Sequence, residues 1–217
     1  MYSWVKRRKQ AARVVAAAMI SIGPLPPIAS RALASDAPHP AGSLFTPVGE
    51  ATSVPYGWVD FCRRYQGECG GAPLPPVDIV ASLKTMNEVE RVNKWVNAHI
   101  TPITDMEHWG VIDKWDYPTD GKGDCEDFAL VKRKVLLEEG FPRQALLMTV
   151  VKDTSNEGHA VLTVKTSGGD FILDNLSNDM KLWSQTPYRF VKRQSQADQN
   201  VWVQLDAPTP APDYVSR

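Results

Sequence analysis

The chain has 217 residues with 24 Lys+Arg, 25 Asp+Glu and 43% hydrophobic side chains, enough apolar material for one domain around a single core. The charge is unevenly spread: residues 1–34 hold six of the basic side chains and no acid, so the other 183 residues carry 18 basic against 25 acidic groups, a net −7. A chain this acidic is a poor partner for nucleic acid, and no later stretch has the roughly 20 apolar residues that a membrane span needs.

The N-terminus opens with Lys6, Arg7, Arg8, Lys9 and Arg13, then the apolar run Val14 to Ile22, then Gly23 and Pro24. This is the pattern of a secretory signal, with Ala32-Leu33-Ala34 as its cleavage site before Ser35; the alternative is a retained amphipathic anchor. The reading places the mature chain in the periplasm or outside the cell. Residues 35–55, rich in Pro, Ala and Ser, are expected to be a flexible lead, residues 56–206 the folded domain, and residues 207–217, with "APTPAPD", a disordered tail. Cys62 and Cys69 lie in "DFCRRYQGECGG" with six residues between them and glycines that let the chain turn back. In an oxidising compartment they are expected to form a local disulfide, worth roughly 2.5 kcal/mol by loop entropy; the alternative is two free thiols. Either way Cys125 is the cysteine left over.

Thr85 and Glu88 suggest a capping box, and Val89, Val92, Trp95 and Val96 recur at helical spacing, which predicts an amphipathic helix from Met86 to His99. From His99 to Gly123 the chain is full of breakers and carries Trp109, Trp115, Tyr117 and Pro118, the composition of a long structured loop. A second helix follows, with Asp124 as N-cap, its carboxylate accepting first-turn N–H groups. Phe128, Val131, Val135 and Leu136 form its buried face, and Gly140 and Pro142 end it. Leu146–Lys152, Ala160–Lys165 and Phe171–Leu173 are apolar, β-branched runs separated by "DTSNEG" and "TSGG", predicting an antiparallel sheet. Helices followed by strands make an α+β domain.

The chemistry concentrates in "GKGDCEDFAL", where Cys125 falls in the first turn of the second helix. A helix N-terminus favours a thiolate, but Asp124, Glu126 and Asp127 oppose it, so a cationic partner is required. One candidate is His159, at the start of a strand in "GHAVLTV"; a Cys–His pair can exist as thiolate and imidazolium. The other is a metal ion. Asp113, Asp116, Asp120, Asp124, Glu126 and Asp127 put six acids in fifteen residues, and such oxygen ligands suit calcium, although the EF-hand spacing is absent. Against the metal stands the plain role of first-turn acids in complementing the helix dipole. Against His159 stands the role of a satisfied strand histidine. Asp174, in "FILDNLS" fifteen residues after His159, is placed to orient an imidazole across adjacent strands. His39, His99 and His108 sit in the lead, at a helix end and in the aromatic loop.

The three motifs "GKGDCEDFALVKRKVLLEEGFP", "GHAVLTV" and "FILDNLS", in that order, resemble the bacterial transglutaminase-like cysteine proteinases, exported papain-related enzymes that include a periplasmic protease releasing giant surface adhesins. The resemblance runs from about Tyr56 to Leu205. It implies a papain/transglutaminase-like fold, with helices, the nucleophile helix among them, packed on an antiparallel sheet. It further implies Cys125 as nucleophile, His159 as general base, Asp174 as orienting acid, and calcium held by Asp124 and Glu126 with Asp127 beside them. A protein substrate such as a surface adhesin follows from the same resemblance. The lead "FCRRYQGEC" departs from the adhesin-releasing members and leaves the substrate open. Three readings come from different classes: a cysteine peptidase, a transglutaminase or other acyltransferase, and a catalytically idle, calcium-responsive module docking an inner-membrane receptor.

Overall fold

The computed structural model describes residues 43–205 and 210–215. The expected signal segment 1–34 lies outside the described residues, as do 35–42, 206–209 and 216–217. Four helices run in chain order: α1 (Tyr56–Arg64), α2 (Leu83–His99), α3 (Asp105–Trp109) and α4 (Cys125–Glu138). The strands are β1 (Val48–Thr52), β2 (Thr101–Pro102), β3 (Lys122–Gly123), β4 (Leu146–Lys152), β5 (Gly158–Thr166), β6 (Gly169–Asp174), β7 (Ser177–Leu182), β8 (Arg189–Gln194) and β9 (Trp202–Leu205). Seven of them form one antiparallel sheet in the order β1-β9-β8-β4-β5-β6-β7, and β2 pairs with β3 in parallel. The α+β architecture is therefore as expected, with helices against a large antiparallel sheet.

Strands β4 and β5 are buried on both faces, which is why they read as continuous apolar runs rather than alternating ones. On one face α4 packs through Phe128, Leu130 and Leu136, joined by Val89, Val92 and Val96 of α2 and by Trp58, Phe61 and Trp115. The other face is closed by Val151, Val161, Ile172, Trp183, Phe190 and Leu205. Cys62 and Cys69 are disulfide-bonded, tying the end of α1 to the following loop. The Asn200 side chain holds that loop, donating to the Cys69 carbonyl at 3.0 Å and accepting from Trp58 Nε1 at 3.1 Å. No helix among the described residues is long and apolar enough to cross a membrane.

Several local expectations are corrected. Helix α2 starts three residues early because Ser82, not Thr85, is its N-cap, with Thr85 as the reciprocal partner. Trp95 is half-exposed and stacks on His99, so only the three valines of that stripe face the core. The loop from His99 to Gly123 contains β2, α3 and β3. The described parts of both ends, residues 43–55 and 210–215, make contacts that their composition does not suggest. Within the lead, Val48–Thr52 pairs with β9, and the Thr46 N–H donates to Asp170, a carboxylate fixed by Lys165 at 2.5 Å and Arg193 at 2.7 Å. Within the tail, Val215 is 3% exposed and belongs to the core.

Candidate active site

Helix α4 begins at Cys125 because the Asp124 carbonyl accepts the Phe128 N–H at 3.1 Å, closing the first turn. The glycine just upstream is required for packing: a side chain at Gly123 would collide with the Asp127 carboxyl. Asp124 does not cap the helix through its side chain, contrary to expectation; its Oδ2 accepts the Asp105 N–H at 3.1 Å instead. The sulfur of Cys125 donates to Glu126 Oε2 at 3.2 Å and accepts the Ala160 N–H at 3.4 Å. That second contact ties α4 directly to β5.

His159 is the second residue of β5, opposite Val151 of β4. The β5–β6 register, with Leu162 opposite Leu173, returns the end of β6 to the start of β5. Asp174 thereby reaches His159, Oδ1 lying 3.0 Å from Nε2. The same Oδ1 accepts the Leu176 N–H at 3.0 Å and Oδ2 accepts the Tyr188 hydroxyl at 2.5 Å. With Nε2 engaged, the ring nitrogen left for Cys125 is Nδ1, which is buried and makes no hydrogen bond in this structure. Burial pulls the His159 pKa down, but the hydrogen bond to Asp174, the neighbouring Cys125 and the charges of both outweigh it and raise it to about 10. Burial pushes Asp174 up, and its bonds to His159, Tyr188 and Leu176 overcome that and leave it below its ordinary value. The three residues expected to act together are thus contiguous, and Tyr188 joins them. No sequence pattern marks Tyr188, because its reach to Asp174 depends on the sheet alone.

The acids divide. Asp105, Asp124 and Glu126 are all buried and bring one oxygen each within 4.8 Å of one another. Asp105 enters through the parallel pairing of β2 with β3, which carries the start of α3 to the start of α4. Asp127, expected in this group, turns away to accept the Asp116 N–H at 2.7 Å. Asp116 is neutralised by Arg64 and Lys114, Asp120 pairs with His108, and Asp113 accepts Trp115 Nε1. Burial and the neighbouring charges of Cys125, Asp124 and Asp127 push Glu126 well up, and burial with the Asp124 charge raises Asp105 to about 6. Glu126 Oε1 is buried with no hydrogen-bond partner. A group of carboxyls so placed either holds protons or holds a cation.

Burial of the reacting groups is nearly complete, with Cys125 1% exposed, His159 0% and Asp174 6%. A polypeptide reaches the sulfur only if something moves. Trp115, one of the two tryptophans of the 99–123 region that could wall a groove, is buried in the core, while Trp109 is half-exposed under Lys114.

The profile of a family described as bacterial transglutaminase-like cysteine proteinase matches residues 48–209. No curated protein matches the chain. Among solved structures, calcium-bound LapG of Legionella pneumophila is similar at 26% identity, covering 58% of this chain and 74% of that one, with a TM-score of 0.49. LapG of the same organism is also similar at 30% identity (54% and 68% covered, TM-score 0.46), as is its EGTA-treated form at 30% identity (54% and 66%, TM-score 0.47).

Proposed function

The chain belongs to the bacterial transglutaminase-like cysteine proteinases, and from that premise we propose that it is an exported peptidase that hydrolyses a peptide bond through Cys125, His159 and Asp174. The observation that carries the reading is the buried imidazole of His159, bonded on one side to Asp174 and turned on the other towards the Cys125 sulfur.

With His159 raised to about 10, Nδ1 has already taken the thiol proton, and the Sγ thiolate bonds to the scissile carbonyl carbon. The developing oxyanion is met by the Cys125 backbone N–H, which in the first turn has no acceptor within the helix. His159 then returns the proton to the departing amine as the C–N bond breaks, leaving a thioester. A water, deprotonated by His159, cleaves the thioester and releases the acid product and the thiol. Asp174, held by Tyr188 and the Leu176 N–H, keeps the ring in one tautomer and stabilises its charge.

Asp105, Asp124 and Glu126 fit a hard divalent cation, since they are buried, anionic when ionised, and leave Glu126 Oε1 without a partner. Bound there, calcium would supply the positive charge that offsets the acids flanking the sulfur. Glu126 would then no longer compete with His159 for the thiol proton.

The substrate is a protein, with a cell-surface adhesin as the expected class, and an inner-membrane receptor is a further expected partner. The basic and apolar N-terminal segment supports export to the periplasm or beyond. Mass spectrometry of products decides between the enzyme classes: fragments with new termini support the peptidase, whereas isopeptide adducts to lysine amines without fragments would make it a transglutaminase.

A further inference from the structure

In the C-terminal segment from Pro210 to Val215, Val215 is buried, Pro212 is half-buried and the other four residues are exposed. Val215 is 3% exposed, and its N–H donates to the Asp113 carboxylate in the loop leading to α4. The Tyr214 carbonyl and Pro212 lie so close to Gly158, the residue before His159, that a side chain there would collide with both. Cavities of about 260 Å³ and about 390 Å³ flank the segment, the first walled by Tyr56, Asp113 and Trp115 and the second by Lys152 and Glu157. The segment therefore bridges the loop that leads into the Cys125 helix and the start of the strand that carries His159. Cys125 is buried with the segment in place.

We infer that Pro210–Val215 occupies the cleft by which a polypeptide reaches Cys125, so that the chain's own C-terminal segment is a resident occupant that must leave before turnover. The inference rests on the peptidase reading and names the regulation of its site. Gly158 belongs to the device: without a side chain it lets the backbone of the segment lie directly against β5. Competition is the consequence, because a substrate pays for displacing the segment and the apparent rate scales with the open fraction.

Two variants of the full chain displace the segment from opposite sides. Val215→Asp puts a charge into an apolar socket, and Gly158→Ala pushes a methyl group at the Tyr214 carbonyl. Each is expected to raise the rate of iodoacetamide modification of Cys125 by about tenfold or more, read by intact-mass spectrometry, and the peptide Ala207–Arg217 added in trans should lower it again. Hydrogen exchange on the wild type needs no variant: alkylation of Cys125 should deprotect the Val215 amide. Unchanged labelling in the folded variants, or an unchanged Val215 amide after alkylation, overturns the inference. Faster labelling in variants that cleave no polypeptide would leave the occupant in place and remove the peptidase reading instead.

Discussion

At the scale of single residues, the centre is a hydrogen-bonded line from Tyr188 through Asp174 to His159, with Cys125 beside the ring. Replacing Asp174 with Asn keeps the shape but removes the charge that stabilises an imidazolium. A fall in kcat of about 10⁴-fold is expected, as for the same exchange in a serine triad. The same variant has a stability signature. Asp174 sits below its ordinary 3.8, so its contribution is present above that pH and is lost as pH falls through the lower folded value. His159 sits at about 10, above its ordinary 6.5, so its contribution is complete below pH 6.5 and fades as pH rises through 10. The loss of unfolding free energy in Asp174→Asn, about 3 kcal/mol for a broken buried pair, should therefore be greatest between those two ordinary values and shrink towards alkaline pH. Denaturant titrations across that range check it; a pH-independent difference would contradict the pairing. Cys125, His159 and Asp174 were legible because each sits at an element boundary that local pattern marks. Tyr188 was not, since its role arises from the sheet's folding back.

At the scale of elements, α4 carries a further charge that the chemistry does not use. Lys132, two turns beyond Cys125, is fully buried, and its amine makes no hydrogen bond. Burial lowers its pKa to about 7 from 10.5, with the Asp174 charge opposing. Between those values the unfolded chain binds the extra proton, so this residue makes stability rise with pH. Lys132→Met removes the cost. It is expected to stabilise the fold by about 2 kcal/mol near pH 7, with the gain vanishing near pH 10.5, as urea unfolding at the two pH values would show. A variant equally destabilised at both would mean that the amine has a structural partner. Helices α2 and α4 and strands β4 to β6 were readable because period and breakers coincide there. Strands β7, β8, β9 and β1 were not. β7 is an exposed polar edge, and β8 buries Lys192 and Arg193 beside its apolar residues, so neither shows clean alternation.

At the scale of the molecule, function depends on segments brought together from far apart. Asp105 lies nineteen residues before Asp124, and the pairing of β2 with β3 unites them; the family resemblance carried over only the acids beside Cys125 and so named Asp127 instead. If Asp105, Asp124 and Glu126 hold calcium, the ion at a hundred times its Kd should stabilise the wild type by about 2.7 kcal/mol. Asp105→Asn should lose that shift in Tm, and Asp127→Asn should keep it; the reverse pattern would restore the grouping that the resemblance implied. The tail escaped the sequence reading for a similar reason, since a Pro- and Ala-rich composition says nothing of a groove that happens to fit it. The claim on which the whole account turns is that the sulfur at the mouth of α4 breaks peptide bonds with the help of His159. The direct measurement is mass-spectrometric mapping of termini after exported proteins are incubated with wild type, Cys125→Ala or His159→Ala. The account predicts new termini with the wild type alone; the same termini produced by Cys125→Ala would contradict it.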